Sequence, residues 1–351
     1  MDFANTSERD HPMNIMADVT PSNKGDTLPL CLAPLMQSVG HPEWSVSRSE
    51  GIMGHAFHFE MKEGGEHVMH DNIDWGPALD FLPAFAQFRT FDANKDDTEV
   101  DLPALKRAAR DAVKESLERG HAALVWQPMS VEMEAGHHHG FCWGLIVGYN
   151  EQEETYTIRH PYVSDTYTVR YDAIGHAGAE WFSVRVYDQP SRADEKATHL
   201  TALRNAVGFA NQTRFAADDE SNAKRRARPH GFSAYDVWRR AFESENVPLG
   251  TSRHHAECLK GRRLAAASYL RELVALFPDA AEPLEAAATL YDHELESLNP
   301  LYDLLATAGE REEIGTEERA EASRLIGEAL KADRDAIAKI EAALEILDAL
   351  D

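Results

Sequence analysis

The feature that most constrains this chain is a change of pattern at "DQPSRADEK", residues 188–196. Before it, the segments "TYTIRHPY", "DTYTVRYDAIG" and "EWFSVRVYD" are rich in Thr, Tyr and Val and have hairpin spacing, which is typical of antiparallel strands. After it, apolar residues recur every three or four positions, which indicates helices. The sequence therefore predicts an α+β fold, with a mainly antiparallel sheet in the N-terminal domain and an all-α helical C-terminal domain.

Helices are also predicted ahead of the strands. The segment "TLPLCLAPLMQSVG" has helical spacing, with Thr27 as the N-cap and Gly40 at the end, which places Cys31 in its first turn. A second helix fits "LPALKRAARDAVKESLERG" and ends at Gly120, and the strand "AALVWQP" follows it. Aromatic and polar residues alternate over residues 55–61, which predicts a further strand.

With 351 residues, the chain is expected to form two domains. We predict a disordered tail over residues 1–26, an α+β domain over 27–190 and a helical bundle over 191–351. The last helix is predicted to begin with Thr316 as its N-cap. Its apolar residues step by three and four, as in a bundle core or in the seam of a homo-oligomer.

Charge and cysteine content limit the partners. The chain has 60 Asp and Glu against 35 Lys and Arg, a formal net charge of −25, which argues against nucleic-acid and anionic-membrane partners. Three widely separated cysteines do not form a disulfide framework, which favours a reducing compartment. No apolar run reaches the roughly 20 residues of a membrane span, and the N-terminus lacks the pattern of a secretory signal. We therefore expect a cytoplasmic protein.

Cys31 is the strongest candidate nucleophile. A thiol in the first turn of a helix faces unpaired backbone N–H groups and the positive end of the dipole, which favour the thiolate. The same N–H groups could hold an oxyanion. The alternative is a small buried hydrophobic residue, a common role for a free cysteine. Cys258 follows His254 and His255 on a predicted helix and is interpreted as structural.

The histidines suggest metal sites only weakly. His137, His138 and His139 are adjacent in a loop flanked by glycine, and neighbouring loop residues rarely all reach one ion. His55 and His58 would point to opposite faces of the predicted strand. The chain also lacks a Gly-rich phosphate loop and the H-E-x-x-H, C-x-x-C and G-x-S-x-G motifs. No cofactor and no metal are predicted.

The order of these motifs resembles that of the butirosin biosynthesis protein H family and related papain-like proteins, including bacteriocin-processing cysteine peptidases. The motifs are "CLAPLMQSVG", "GIMGHAFHF", the helix ending at Gly120, "HAALVWQP" and "WGLIVGYN" with "IRHP". Including "GFSAYDVWRRAFE" and "GRRLAAASYLRELVALF", the resemblance covers about residues 27–300. It implies a papain-like fold and cysteine-dependent acyl transfer to an amine or to water, with Cys31 as the nucleophile.

The chain departs from this family at the other catalytic positions. The family places its imidazole where this chain has Cys142, and its orienting carboxylate, in a D-P pair, where this chain has His160 and Pro161. Two active arrangements remain: His160 approaches Cys31 directly, or His139 folds back to supply the base. A neutral thiol at the base position is a poor proton acceptor near pH 7.

Two functions follow. The first is a cysteine-dependent acyltransferase or amidohydrolase of bacterial secondary metabolism, acting on a small-molecule or acyl-carrier-bound substrate. The second is a catalytically degenerate papain-like protein that binds a peptide or metabolite, or is an oligomeric scaffold that associates through its C-terminal helix.

Overall fold

The chain forms two compact units. A computed structural model describes residues 13–14, 26–62, 79–94, 97–129, 142–174, 181–191, 193–213, 228–243 and 247–350. Unit 1 comprises Met1–Val46 and Leu82–Ala193, and unit 2 comprises Ser47–Phe81 and Asp194–Asp351.

Unit 1 is built on one antiparallel sheet. Its strands are β1 (Met13–Asn14), β2 (Ala86–Asn94), β3 (Ala123–Trp126), β4 (Trp143–Asn150), β5 (Thr155–Arg159), β6 (Tyr167–Arg170) and β7 (Trp181–Pro190). Six of them follow the order β2-β7-β3-β4-β5-β6, and β1 pairs with the far end of β4. The predicted antiparallel sheet is confirmed. Strands β4 to β7 form where Thr, Tyr, Val and Ile are enriched, because such side chains pack well on a pleated surface.

Helices cover this sheet. They are α1 (Thr27–Ser38), the short α3 (Leu82–Phe85) and α4 (Leu102–Glu118). The α4 helix buries Ala109, Val113 and Leu117 against the apolar side chains of the central strands. Asp101 caps α4 by accepting the N–H of Ala104 at 3.0 Å, and Gly120 ends it with φ +92°, the left-handed conformation favoured by glycine.

Unit 2 is helical. Its helices are α2 (Val46–Met53), α5 (Glu195–Ala210), α6 (Phe232–Ala241), α7 (Leu249–Leu276), α8 (Ala281–Arg311) and α9 (Thr316–Asp348), with single 3₁₀ turns at His55–Phe57 and Pro278–Ala280. The long helices α7, α8 and α9 pack one on the next. The predicted helical C-terminal region is confirmed. No helix in the described part of the chain has the length and hydrophobicity needed to cross a membrane.

The apolar stripe of α9 lies in the core of unit 2. Its members are all buried: Ile326, Leu330, Ile337, Ile340, Leu344 and Leu347. The helices α5, α6 and α8 of the same unit pack against α9. The packing of the bundle therefore accounts for the burial of the stripe.

Two local predictions are wrong. Residues His55–Phe57 form a 3₁₀ turn after Gly54, whose φ of +81° ends α2, so residues 55–61 are not a strand. Aromatic and polar residues alike are buried in this stretch, so their alternation did not mark one exposed and one buried face. Thr27 and Thr316 are each the first helical residue, and the N-caps are Asp26 and Gly315.

Candidate functional site

The start of α1 is attached to the start of β4. The Thr27 hydroxyl accepts the backbone N–H of Trp143 at 2.9 Å. Thr27 is the first residue of α1, so Cys31 is the fifth and lies beyond the first turn. Its N–H is therefore bonded to the Thr27 carbonyl within the helix. This pairing is the same whether Thr27 is the N-cap, as predicted, or the first helical residue, so the Cys31 N–H itself is not among the unpaired groups at the helix start.

The Cys31 thiol is enclosed. Its exposed fraction is 0%, and its S–H donates to the Trp143 carbonyl oxygen at 3.5 Å. Burial raises the pKa of Cys31 well above its ordinary value, and the neighbouring Cys142 raises it further. The thiol is therefore neutral near pH 7, whereas a cysteine nucleophile reacts as the thiolate.

Cys142 directly precedes β4 and is also buried. Its carbonyl accepts the N–H of Gln127 at 2.7 Å. Burial raises the pKa of the Cys142 thiol to about 12. The structure thus brings Cys31 and Cys142 near each other, as two neutral thiols rather than as a thiol and a base.

His160 follows β5 and is fully buried. Its Nδ1 accepts the backbone N–H of Tyr162 at 3.2 Å, so the ring proton of the neutral imidazole lies on Nε2. The ring lies beside Gly144, where an added Cβ would be 3.6 Å from the His160 Cδ2. The Nδ1 lone pair of this tautomer accepts the Tyr162 N–H and does not point at a thiol.

The structure does not bring Cys31 and His160 together as a catalytic pair. Within the described ranges, no imidazole nitrogen lies at hydrogen-bonding distance from the Cys31 sulfur. The second active arrangement needs His139, which lies outside the described residues together with His137 and His138. Among the residues that are described, no three His, Cys, Asp or Glu side chains converge as metal ligands.

Several aromatic residues lie in the strands next to Cys142. Trp143 packs against Trp126 and Trp181 with ring centroids 5.2 and 5.5 Å apart. Burial raises the pKa of Tyr167, and the two cysteines raise it further, which places its hydroxyl in the same neighbourhood. An apolar, aromatic setting of this kind disfavours the charged thiolate.

A thiol–imidazole contact occurs elsewhere, on α7. The Cys258 sulfur lies 3.5 Å from the His254 Nε2, and Cys258 is partly exposed. The two residues are four positions apart on one helix, so they share a face. The prediction that Cys258 is structural did not include this contact, although a spacing of four residues on a predicted helix indicates it.

Unit 1 also contains a cleft that the sequence did not predict. It has a volume of about 400 Å³ and lies between α4 and the turn after β6. Four cationic side chains line it: Lys106, Arg107, Arg110 and Arg170. We call it the cationic cleft. Three of these cations are spaced by one, three and four residues in "LPALKRAAR", which places them along one part of α4.

No protein-family model matches the chain, and no curated protein is significantly similar to it.

Proposed function

We propose that this chain is a catalytically inactive protein of the papain-like class that binds a small metabolite. The observation that carries the proposal is the Cys31 thiol, which is fully buried, neutral and hydrogen-bonded to the Trp143 carbonyl. The papain-like assignment is supported by the position of Cys31 on a helix that packs against β3 and β4 of an antiparallel sheet.

Acyl transfer by cysteine needs an accessible thiolate, a base within hydrogen-bonding reach and donors for the oxyanion. In the described part of the chain, Cys31 has none of the three. The sulfur is closed to solvent, His160 already accepts a hydrogen bond from Tyr162, and the Cys31 N–H is committed to the helix. Binding needs only a cleft, and unit 1 has one.

Alkylation of the three thiols by iodoacetamide at neutral pH tests this proposal. We expect Cys258 to react readily because it is partly exposed and contacts His254. Cys31 should react more than about 100-fold slower than Cys258, because the reagent reaches a buried sulfur only when the native state opens. Peptide mass spectrometry over a time course gives a rate for each thiol in the same sample.

The chain in concentrated guanidinium is the control, in which the three rates should become similar. Native Cys31 reacting as fast as Cys258 would contradict the proposal and would restore the acyltransferase. His254→Ala should slow only Cys258, which shows whether the reference thiol depends on its imidazole.

A further inference from the structure

The cationic cleft concentrates positive charge on a chain of formal net charge −25. Its volume of about 400 Å³ falls within the range of about 300–1,000 Å³ that is common for small-molecule sites. Four cations line it, against the two carboxylates of Glu154 and Asp172. A local excess of cations on so acidic a chain points to an anionic ligand.

Most of these cations are held in place by hydrogen bonds. Arg170 donates to the two carboxylate oxygens of Asp172 at 3.1 and 3.4 Å. Lys106 donates to the Asp172 carbonyl at 3.0 Å, and Arg110 donates to Asp111 at 3.2 Å. These contacts orient the side chains and offset part of their charge.

Arg107 differs from the other three. It is exposed, and within the described residues its guanidinium has no hydrogen bond and no ion pair. A guanidinium offers a planar pair of N–H donors that matches the two oxygens of a carboxylate or phosphate. Arg107 is therefore the cation in the cleft that has its full donor capacity left for a ligand.

The rest of the lining is apolar. Leu102 and Pro103 come from the first turn of α4, and the Tyr171 ring faces them from the turn after β6. The Arg110 guanidinium carbon lies 5.8 Å from the centre of the Tyr171 ring, within range of a cation–π contact. The hydroxyl of Tyr171 donates to the Asn150 carbonyl at 3.2 Å, which anchors the ring. This surface suits the apolar or aromatic body of a ligand.

We propose that the cationic cleft binds a small organic anion, in which a carboxylate or phosphate pairs with Arg107 and an apolar or aromatic body packs on Leu102, Pro103 and Tyr171. This inference rests on the proposed binding function and names its ligand class. It does not depend on the chemistry of Cys31, so the two proposals fail separately.

Fluorescence titration with 8-anilinonaphthalene-1-sulfonate, an aromatic anion, tests the proposal on the full chain. Arg107→Gln is expected to raise the Kd of the dye about fivefold, which corresponds to the loss of one partly exposed ion pair. The matched control is Arg253→Gln, which removes an arginine on α7 of unit 2 that is also exposed and has no hydrogen bonds or ion pairs to described residues. It should leave the Kd unchanged.

N-Phenyl-1-naphthylamine, the same aromatic system without the sulfonate, is the matched probe, and its Kd should not respond to Arg107→Gln. Displacement of the dye by phenyl phosphate would indicate a phosphate ligand, and displacement by benzoate a carboxylate. Equal effects of Arg107→Gln and Arg253→Gln, or a dye that neither anion displaces, would overturn the proposal. Whichever result the dye titration gives, slow alkylation of Cys31 would still support the proposal that the chain is not catalytic.

Discussion

Arg263→Gln is expected to lower the free energy of unfolding of unit 2 by about 3–5 kcal/mol, the usual loss when one member of a buried ion network is removed. The Arg263 side chain is 1% exposed. Its Nε donates to Glu294 at 3.0 Å and its Nη2 to Asp333 at 3.1 Å. A third bond, from Nη1 to the Ala56 carbonyl at 2.9 Å, ties α7 to the segment after α2.

The two carboxylates show why the loss should be large. Burial raises the pKa of Glu294 to about 8, although Arg263 opposes this shift. Burial also raises the pKa of Asp333, again against the effect of Arg263. Without the guanidinium, two buried carboxyl groups would share a site with no opposite charge, which favours either protonation or unfolding.

Arg271→Gln is the matched control for this prediction. Arg271 lies on the same helix and also pairs with two carboxylates, Glu285 and Asp292, but at the surface. Arg271→Gln should lower the free energy of unfolding by less than about 1 kcal/mol, because exposed ion pairs are weak. Urea unfolding followed by circular dichroism compares the two variants. Equal losses would mean that the buried network does not stabilise unit 2 more than surface pairs do.

Gly51→Ala is the second substitution with a large expected effect. A Cβ at Gly51 would lie 2.2 Å from two ring carbons of Tyr269. That ring is fully buried, packs against Phe57, and its hydroxyl is 2.8 Å from the His199 Nδ1, so it has little freedom to move. We expect a loss of about 3 kcal/mol in the free energy of unfolding, at the upper end of the usual cost of overpacking a core.

The control for this variant is Gly261→Ala. Gly261 also lies within a helix, α7, but its added Cβ would meet no described atom within 4 Å beyond its chain neighbours and the backbone of its own helix. Alanine there should raise the free energy of unfolding by about 0.5–1 kcal/mol, because it reduces the conformational entropy of the unfolded chain. Thermal unfolding of both variants measures the difference, and a Gly51→Ala variant as stable as Gly261→Ala would contradict the packing of α2 against Tyr269.

The coarse fold could be predicted because periodic patterns report burial. Strands β3 to β7 and the helices after residue 190 lie where the sequence patterns place them, whereas β1 and β2 were not predicted. The pattern failed at residues 55–61, where polar and aromatic side chains are all buried. Periodicity also cannot distinguish Arg263 from Arg271, because burial of a charge depends on carboxylates that reach it from other helices.

The candidate site was predictable in part. The sequence placed Cys31 on α1 and Cys142 at the start of β4, and both lie there. It did not reveal the Cys31 burial or the His160 tautomer, because these depend on the Trp143 carbonyl and the Tyr162 N–H. The cationic cleft was missed because Arg170 and Tyr171 come to α4 only through the pairing of the sheet.

The central claim, that Cys31 is not a nucleophile, is tested most directly by titrating its thiol. Thiolate absorbance at about 240 nm would be followed from about pH 5 to about pH 9, below the range in which tyrosine ionises. Cys258→Ala removes the exposed thiol, and the double variant Cys31→Ala with Cys258→Ala supplies the difference that belongs to Cys31. The account predicts no thiolate from Cys31 across this range, and a midpoint below about pH 7 would contradict it.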